Sequence, residues 1–334
     1  MKLDCEDCAG CCMDWQSLLE DDAESIAARD ADGGAGRDDE DGRNADRQRA
    51  REPFGERGDE HEPSREPLDD DTNFVPLTRD EVRTFLEAGM GAALRPRFWH
   101  ARTESEGVDI DGRTVAAVAG RPVFFVGPRK PPKPVAPFGR EEPTWLPTCV
   151  FLDPTTLQCR IHGGDLYPDE CRAYPEHNLA LEQETECERV ESAFGGDRLL
   201  DADHDDPGGL LLGSQAIGAK LFCHPRPDDL AGVVDRAAAG ALTRRDRAEL
   251  IAVAAASSPG TPAVSDHHYE LAKTKVLGTD DGDSADRESW VGPAIRDWYQ
   301  RYREPDGAVP SPTVADAVET DRGAPETPGW DALE

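Results

Sequence analysis

Lysine is scarce in this chain of 334 residues, where it supplies only 6 of the 37 basic residues against 69 acidic ones. The formal net charge is −32. Arg in place of Lys within a uniformly acidic chain is typical of a halophilic protein, because molar intracellular salt screens most of the self-repulsion. A net charge of this sign repels phosphates, so the composition argues against nucleic acid as a partner.

Apolar runs long enough to cross a membrane are also missing, since no stretch approaches about 18 uninterrupted apolar residues. The first residues, MKLDCEDC, lack the positive segment and the apolar segment of a secretory signal. We therefore expect a soluble, cytoplasmic protein with no membrane partner.

Several motifs that would identify an enzyme are absent from the sequence. The chain has no Gly-rich phosphate loop, no G-x-S-x-G turn, no H-E-x-x-H pair and no internal repeat. No catalytic residue can be assigned on this basis, and whether the protein is an enzyme stays open.

Cysteine, by contrast, is abundant and clustered. The chain has 9 cysteines, an odd number for a reducing compartment, which disfavours a disulfide framework and favours metal ligation. The N-terminus carries a C-x2-C-x2-C-C motif formed by Cys5, Cys8, Cys11 and Cys12. Its two-residue gaps let consecutive thiolates converge on one metal, but the closing cysteine of a ferredoxin run is missing.

A second group of cysteines lies far along the chain. Cys149, Cys159 and Cys171 are spaced too widely for a self-contained zinc ribbon, so we expect them to complete a centre that begins at the N-terminus. The prediction is one mononuclear or small multinuclear centre. Zinc or iron, the latter also as an iron–sulfur cluster, is the expected cofactor, although soft thiolates suit copper(I) as well. The predicted metal ligands are Cys5, Cys8, Cys11, Cys12, Cys149, Cys159 and Cys171.

Three neighbouring residues are harder to assign. Cys187, in a polar run, is evenly balanced between ligand and incidental residue. Cys223 ends an apolar stretch and is interpreted as core, with ligation beside His224 as the alternative. His162 follows Cys159 by three residues and could complete a mixed shell, but an exposed or hydrogen-bonded histidine is the favoured interpretation.

The ordered motifs resemble a known family. The N-terminal C-x2-C-x2-C-C, followed by C-V-F-L-D, C-R-I and C-R-A-Y-P, is similar to the YkgJ-like cysteine-cluster family, described as zinc- or iron-chelating. The resemblance covers residues 5–17, 74–89 and 145–175. It departs where the family has Tyr in place of His162 and an Arg-Pro pair in place of Tyr167-Pro168. It leaves open whether Arg172 and Tyr174 surround the thiolates or serve packing.

The resemblance implies a metal-binding protein of unassigned cellular role, with an unknown protein partner. Two alternatives remain. Because the family shares its cysteine motifs with the lysine N-methylases that act on flagellin, one is an iron–sulfur-dependent enzyme. The other is a thiol redox sensor that uses the adjacent Cys11 and Cys12.

The expected fold is α+β, mostly α-helical, with a small antiparallel sheet organised around the cysteine metal site. Thr78 and Glu81 predict a capping box ahead of a helix, and the Asp111-Gly112 pair predicts a turn between strands. The Pro-rich residues 128–143 indicate an exposed linker. The expected organisation is a cysteine motif (1–19), a long disordered acidic insertion (20–72), a cysteine-cluster core (73–190), a helical region (191–304) and a disordered tail (305–334).

Overall fold

The computed structural model of the protein describes residues 1–19, 65–204, 213–258, 261–278, 289–304 and 308–330. Within these ranges the fold is α+β, as predicted, with antiparallel sheets. The strands are β1 (Lys2–Leu3), β2 (Leu94–Phe98), β3 (Gly107–Ile110), β4 (Arg113–Val118), β5 (Arg121–Pro128), β6 (Pro132–Val135), β7 (Thr144–Pro147), β8 (Leu199–Asp201) and β9 (Phe222–Cys223). The α-helices are α1 (Arg79–Glu87), α2 (Asp169–Ala173), α3 (Glu176–Ala180), α4 (Glu186–Phe194), α5 (Ile217–Lys220), α6 (Val233–Ala238), α7 (Arg244–Ala256), α8 (Asp266–Gly278), α9 (Val291–Tyr302) and α10 (Pro312–Thr320).

Two tight turns organise the main antiparallel sheet, whose strand order is β2-β5-β4-β3 with β9 also paired to β5. Asp111 and Gly112 join β3 to β4 with φ angles of 56° and 81°, which confirms the predicted turn. Ala119 and Gly120 join β4 to β5 with φ angles of 51° and 71°. Positive φ at both central positions matches the twist of the strands and fixes their register.

Helices cover the sheet. The capping box predicted at Thr78 and Glu81 is present and begins α1, whose Val82 and Phe85 are buried. Helix α7 is buried along most of its length and packs against α1, α8 and β2. One apolar cluster therefore draws residues from both 73–190 and 191–304. We call β2–β5 and β9, with α1 and α6–α9, the central body.

The cysteines of the two predicted groups lie in a layer that adjoins the central body, defined as residues 1–19, 132–135, 144–194 and 199–201. Val150, Phe151 and Ile161 of this layer belong to the main apolar cluster. Strand β1 pairs with β8, β6 pairs with β7, and the short helices α2–α4 complete the layer. Its own smaller apolar cluster includes Met13, Trp15, Leu152 and Val190. Among the residues that the structure describes, no helix has the length and apolar character needed to cross a membrane.

The Pro-rich segment differs from its prediction as an exposed linker. Strand β6 lies within it and is buried at every residue. Lys133 there is 0 % exposed, and its ammonium donates hydrogen bonds to the carbonyls of Val150 and Leu152 at 2.8 and 2.6 Å. Proline suits this position because β6 belongs to a two-stranded sheet, where strand edges need no ladder donor.

The predicted disordered segments differ in part. Residues 20–64 of the acidic insertion lie outside the described residues, but its last part is ordered: Leu68 donates its backbone N–H to Phe98 at 2.9 Å, and Asp69 pairs with Arg97 at 2.8 Å. The tail predicted after residue 304 contains α10, in which Glu319 is fully buried. The polar composition of these two segments led to the prediction of disorder. The residues that order them lie far away in the sequence, so no local pattern indicated them.

Candidate metal centre

The N-terminal cysteines lie on a tight loop that packs on helix α4. Cys8 donates its backbone N–H to the Cys5 carbonyl at 3.2 Å, and the 3-10 helix Gly10–Cys12 follows. A Cβ atom on Gly10 would lie 2.7 Å from Val190 Cγ2 and 3.7 Å from Cys8 Sγ. Only glycine lets the loop approach α4 this closely.

The second half of the chain meets this loop through the backbone. Cys149 donates its N–H to the carbonyl of Cys12 at 2.7 Å, and Asp14 donates to Pro147 at 2.8 Å. Met13 and Thr148 form an isolated antiparallel bridge between these contacts. The pairing places Cys12 directly beside Cys149.

A compact loop returns Cys159 to the same place. Leu152 and Cys159 form an isolated antiparallel β-bridge, and the Leu152 N–H donates to the Cys149 carbonyl at 2.9 Å. Asp153 holds the loop because its Oδ1 accepts from the backbone N–H of Thr155 at 2.8 Å. Cys171 comes from α2, where the hydroxyl of Tyr167 donates to its carbonyl at 3.3 Å.

These contacts bring cysteines from three distant segments to one small cavity of about 70 Å³. The thiols that line it are Cys11, Cys12, Cys149, Cys159 and Cys171. The sulfurs of Cys11 and Cys12 lie 3.8 Å apart. The remaining wall is mostly apolar and aromatic, with Asn73 and Lys130 as its polar members apart from the tyrosines.

The surroundings of Cys12, Cys149 and Cys159 raise their pKa values and so favour the protonated thiols when no cation is bound. Burial raises the pKa of Cys159 to about 12, with the neighbouring Cys149 charge adding to the effect. A hydrogen bond with Cys11, followed by burial, raises the pKa of Cys12 well above its usual value. Burial also raises the pKa of Cys149, while Lys133 and Lys130 partly offset this. A cation would favour the thiolates instead.

The positions of the cysteine sulfurs decide whether the cavity can coordinate a metal ion without rearrangement. Within the part of the chain that the structure describes, no three Cys, His, Asp or Glu side chains form a geometry that could hold a metal ion. The thiols share a cavity but do not converge on one point. Coordination therefore requires rotation of cysteine side chains about χ1, for which staggered alternatives exist.

Two residues that sequence reasoning missed tie the layer together beside the cavity. Asn73 donates to the Gly10 carbonyl at 3.2 Å and to Glu186 Oε1 at 3.0 Å, and its own Oδ1 is buried without a hydrogen-bond partner. Glu186 also accepts from Trp15 Nε1 at 2.5 Å and pairs with Arg189 at 2.8 Å. The sequence offered one signal for Glu186, which is its position inside the T-E-C-E capping sequence at the start of α4. Its burial, and hence its need for partners, becomes visible only in the structure.

A buried charge cluster supports the loop that carries Cys149 and Cys159. Glu319 of α10 lies 2.5 Å from Lys133 Nζ and 2.9 Å from Arg160 Nε, and it also accepts from Trp298 at 3.0 Å. Arg160 further pairs with Asp153 at 2.9 Å. This cluster joins the C-terminal helix to the cysteine loop, and no local sequence pattern indicates it.

The other candidate residues lie in different surroundings. Cys223 is paired with Val123 in the sheet and packs in an apolar cluster with Trp99, away from the cavity. His162 is exposed, with its ring 4.8 Å from that of Tyr167. Arg172 lies 5.4 Å over the ring of Tyr167 rather than on the cavity wall. Cys187 is on α4, next to the N-terminal loop.

A family described as a family of unknown function, DUF7531, matches residues 1–331, and the protein belongs to this family. No curated protein and no solved structure matches the chain.

The family match corrects the resemblance to the YkgJ-like proteins. That prediction was wrong, because the family that spans the chain is DUF7531. Short cysteine motifs of three to eight residues carried the resemblance, and motifs this short also match by chance. The alternative of an enzyme related to lysine N-methylases rested on the resemblance and loses its support. The cysteines and their placement are unaffected.

Proposed function

We propose that this protein binds a thiolate-ligated metal, zinc or iron, in the cavity between its N-terminal loop and residues 149–171. The observation that carries the proposal is that five cysteines from three segments, Cys11, Cys12, Cys149, Cys159 and Cys171, line one cavity of about 70 Å³. A tetrahedral zinc ion or an iron–sulfur cluster takes four such ligands.

The chemistry of the wall fits a soft cation. The side chains that line the cavity offer no carboxylate, so hard cations such as magnesium or calcium find no suitable ligands. Four thiolates around a divalent ion carry an excess of negative charge. Lys130 on the wall and the buried Lys133 beside Cys149 lie where they can offset that excess.

The role that follows is structural. The ligands come from three separate segments of the chain, so metal binding would hold the loop, the Cys149–Cys159 turn and α2 together. As each metal–sulfur bond forms, an S–H bond is broken and its proton passes to solvent. Since the free thiols have raised pKa values, affinity should increase as the pH rises.

A redox sensor is the weaker candidate. Sensor cysteines react as thiolates and so have lowered pKa values. Here burial and neighbouring thiols raise the pKa of Cys12 and Cys159. These shifts disfavour attack on an oxidant.

The test is metal content after anaerobic purification of the full chain in high salt, with zinc, iron and acid-labile sulfide measured per chain. Cys159→Ser should lose the cavity's metal. Cys223→Ser is the matched control, because Cys223 is a buried thiol outside the cavity, and it should keep the wild-type metal content. Wild-type protein without zinc or iron would refute the proposal.

A further inference from the structure

The cysteines outnumber the ligands of one centre, and their placement divides them into two sets. Five thiols line the cavity, one more than a tetrahedral centre uses. Cys5, Cys8 and Cys187 lie outside the cavity, and a tetrahedral centre would need one ligand more than these three supply. Cys11 lies between the two sets.

The contact between the N-terminal loop and α4 brings Cys187 to the loop. Cys187 and Val190 are three residues apart and share one face of α4. Val190 reaches Gly10 at the point where Cys8 Sγ also approaches, within 3.7 Å of a Cβ built there. The buried Glu186, next to Cys187, holds this face against the loop through Trp15 Nε1 at 2.5 Å.

Electrostatic interactions support the same division. Cys187 interacts with Cys5, Cys8 and Cys11. Cys12 interacts with Cys149 and Cys159. Cys11 interacts with members of both sets, because Cys149 and Cys159 also feel its charge.

We infer that Cys5, Cys8, Cys11 and Cys187 hold a second thiolate-ligated metal, adjacent to the one held by Cys12, Cys149, Cys159 and Cys171. The inference rests on the proposed function, because both centres take the same class of soft metal. The sulfurs of Cys11 and Cys12 lie 3.8 Å apart, so the two centres that these neighbouring residues serve would adjoin each other. The second centre would staple α4 to the N-terminal loop.

The experiment counts metal in the full chain, purified anaerobically in high salt. Cys187→Ser and Cys159→Ser are compared with wild-type protein and with Cys223→Ser. The expected result is a twofold loss of metal in Cys187→Ser, as zinc or as iron with its sulfide, while the first centre remains. Cys159→Ser should retain the metal of the second centre, and Cys223→Ser should equal wild type.

The outcomes separate the two proposals. Unchanged metal in Cys187→Ser, with metal lost in Cys159→Ser, would overturn the second centre and leave the first. Wild-type protein without metal would overturn both. If Cys187→Ser fails to fold, Cys5→Ser replaces it, because Cys5 is exposed and its substitution leaves the packing intact. The same twofold loss is expected, and full retention of metal would overturn the second centre.

Discussion

The central body and the cysteine layer are built on different principles. The central body has an apolar core in which the aromatic residues Phe98 and Phe124 of the sheet meet the buried face of α7. The cysteine layer consists of loops and short helices around a smaller apolar cluster. Its segments are joined by buried polar side chains such as Asn73 and Glu186. Burial of apolar side chains is the main source of stability in the body, whereas the layer also depends on specific buried hydrogen bonds and ion pairs.

Because the two regions are stabilised differently, different kinds of substitution should destabilise them. Removing an apolar side chain should weaken the body and leave the layer's ligands in place. Removing one of the buried polar side chains, or the metal, should destabilise the layer before it destabilises the body. The following changes test that separation, from the largest expected effect to the smallest.

Metal removal should have the largest effect and should be confined to the cysteine layer. Structural zinc contributes about 10–16 kcal/mol to the folding of thiolate sites in small peptides. With a chelator under reducing conditions, amide exchange in residues 5–15 and 149–171 should accelerate by at least about 100-fold, whereas exchange in α7 should change by less than about threefold. Equal acceleration in both regions, measured by mass spectrometry, would show that they are one cooperative unit.

Glu319→Ala should destabilise the protein by about 3–5 kcal/mol, because it removes the buried carboxylate that Lys133 and Arg160 share. Arg160 keeps its pairing with Asp153, whereas Lys133 keeps neutral carbonyl acceptors. The loss should appear in denaturant unfolding, and metal should be released more easily since the Cys149 loop depends on both cations. Asp316→Ala is the matched control: this acid is exposed on the same helix and should change stability by less than about 0.5 kcal/mol. A small effect at Glu319 would mean that the cluster adds little to the layer.

Leu250→Ala should cost about 2–4 kcal/mol, because the side chain is fully buried in the body and leaves a cavity. Thermal unfolding should shift to lower temperature. Metal content per folded chain should stay at the wild-type value. Loss of metal from a chain that remains folded would contradict the separation between body and layer.

Local patterns predicted the body better than the layer. The Asp111-Gly112 turn and the Thr78 capping box depend on residues within a few positions of one another, and both are confirmed. Burial of Lys133 was missed because Glu319, its partner, is far away in sequence. Cys187 stayed undecided because its relation to Cys8 exists only once α4 lies on the loop.

Gly10→Ala should destabilise the layer by about 1–3 kcal/mol, since the new Cβ would lie 2.7 Å from Val190 Cγ2. Valine in a helix has little rotamer freedom with which to move away. Adding Val190→Ala should recover part of the loss, and a double-mutant cycle measures this coupling. Gly218→Ala is the control, because no atom lies within 4 Å of its built Cβ, so stability should not fall. Strict additivity at Gly10 and Val190 would show that the loop and α4 do not press on each other.

The smallest effect concerns a charged network on the body. Burial alone would raise the pKa of Glu249, but hydrogen bonds from Lys273 and Tyr269 and the nearby His224 Nε2, 3.5 Å away, outweigh it and lower the pKa to about 2. A carboxylate with a lowered pKa stabilises the fold above its unfolded pKa near 4.5, and this stabilisation is lost as the pH falls towards 2.

Glu249→Gln should therefore cost about 1–2 kcal/mol at pH 6, an amount limited by solvent screening at this partly exposed site, and the difference from wild type should vanish near pH 2. Glu270→Gln, at an exposed position on the same helix as Tyr269, should show no such pH dependence. Urea unfolding from pH 7 to pH 2 measures both variants. Because the network lies on the body, metal content should be unchanged in Glu249→Gln. A pH-independent loss of stability would show that packing, rather than the carboxylate charge, is what Glu249 contributes.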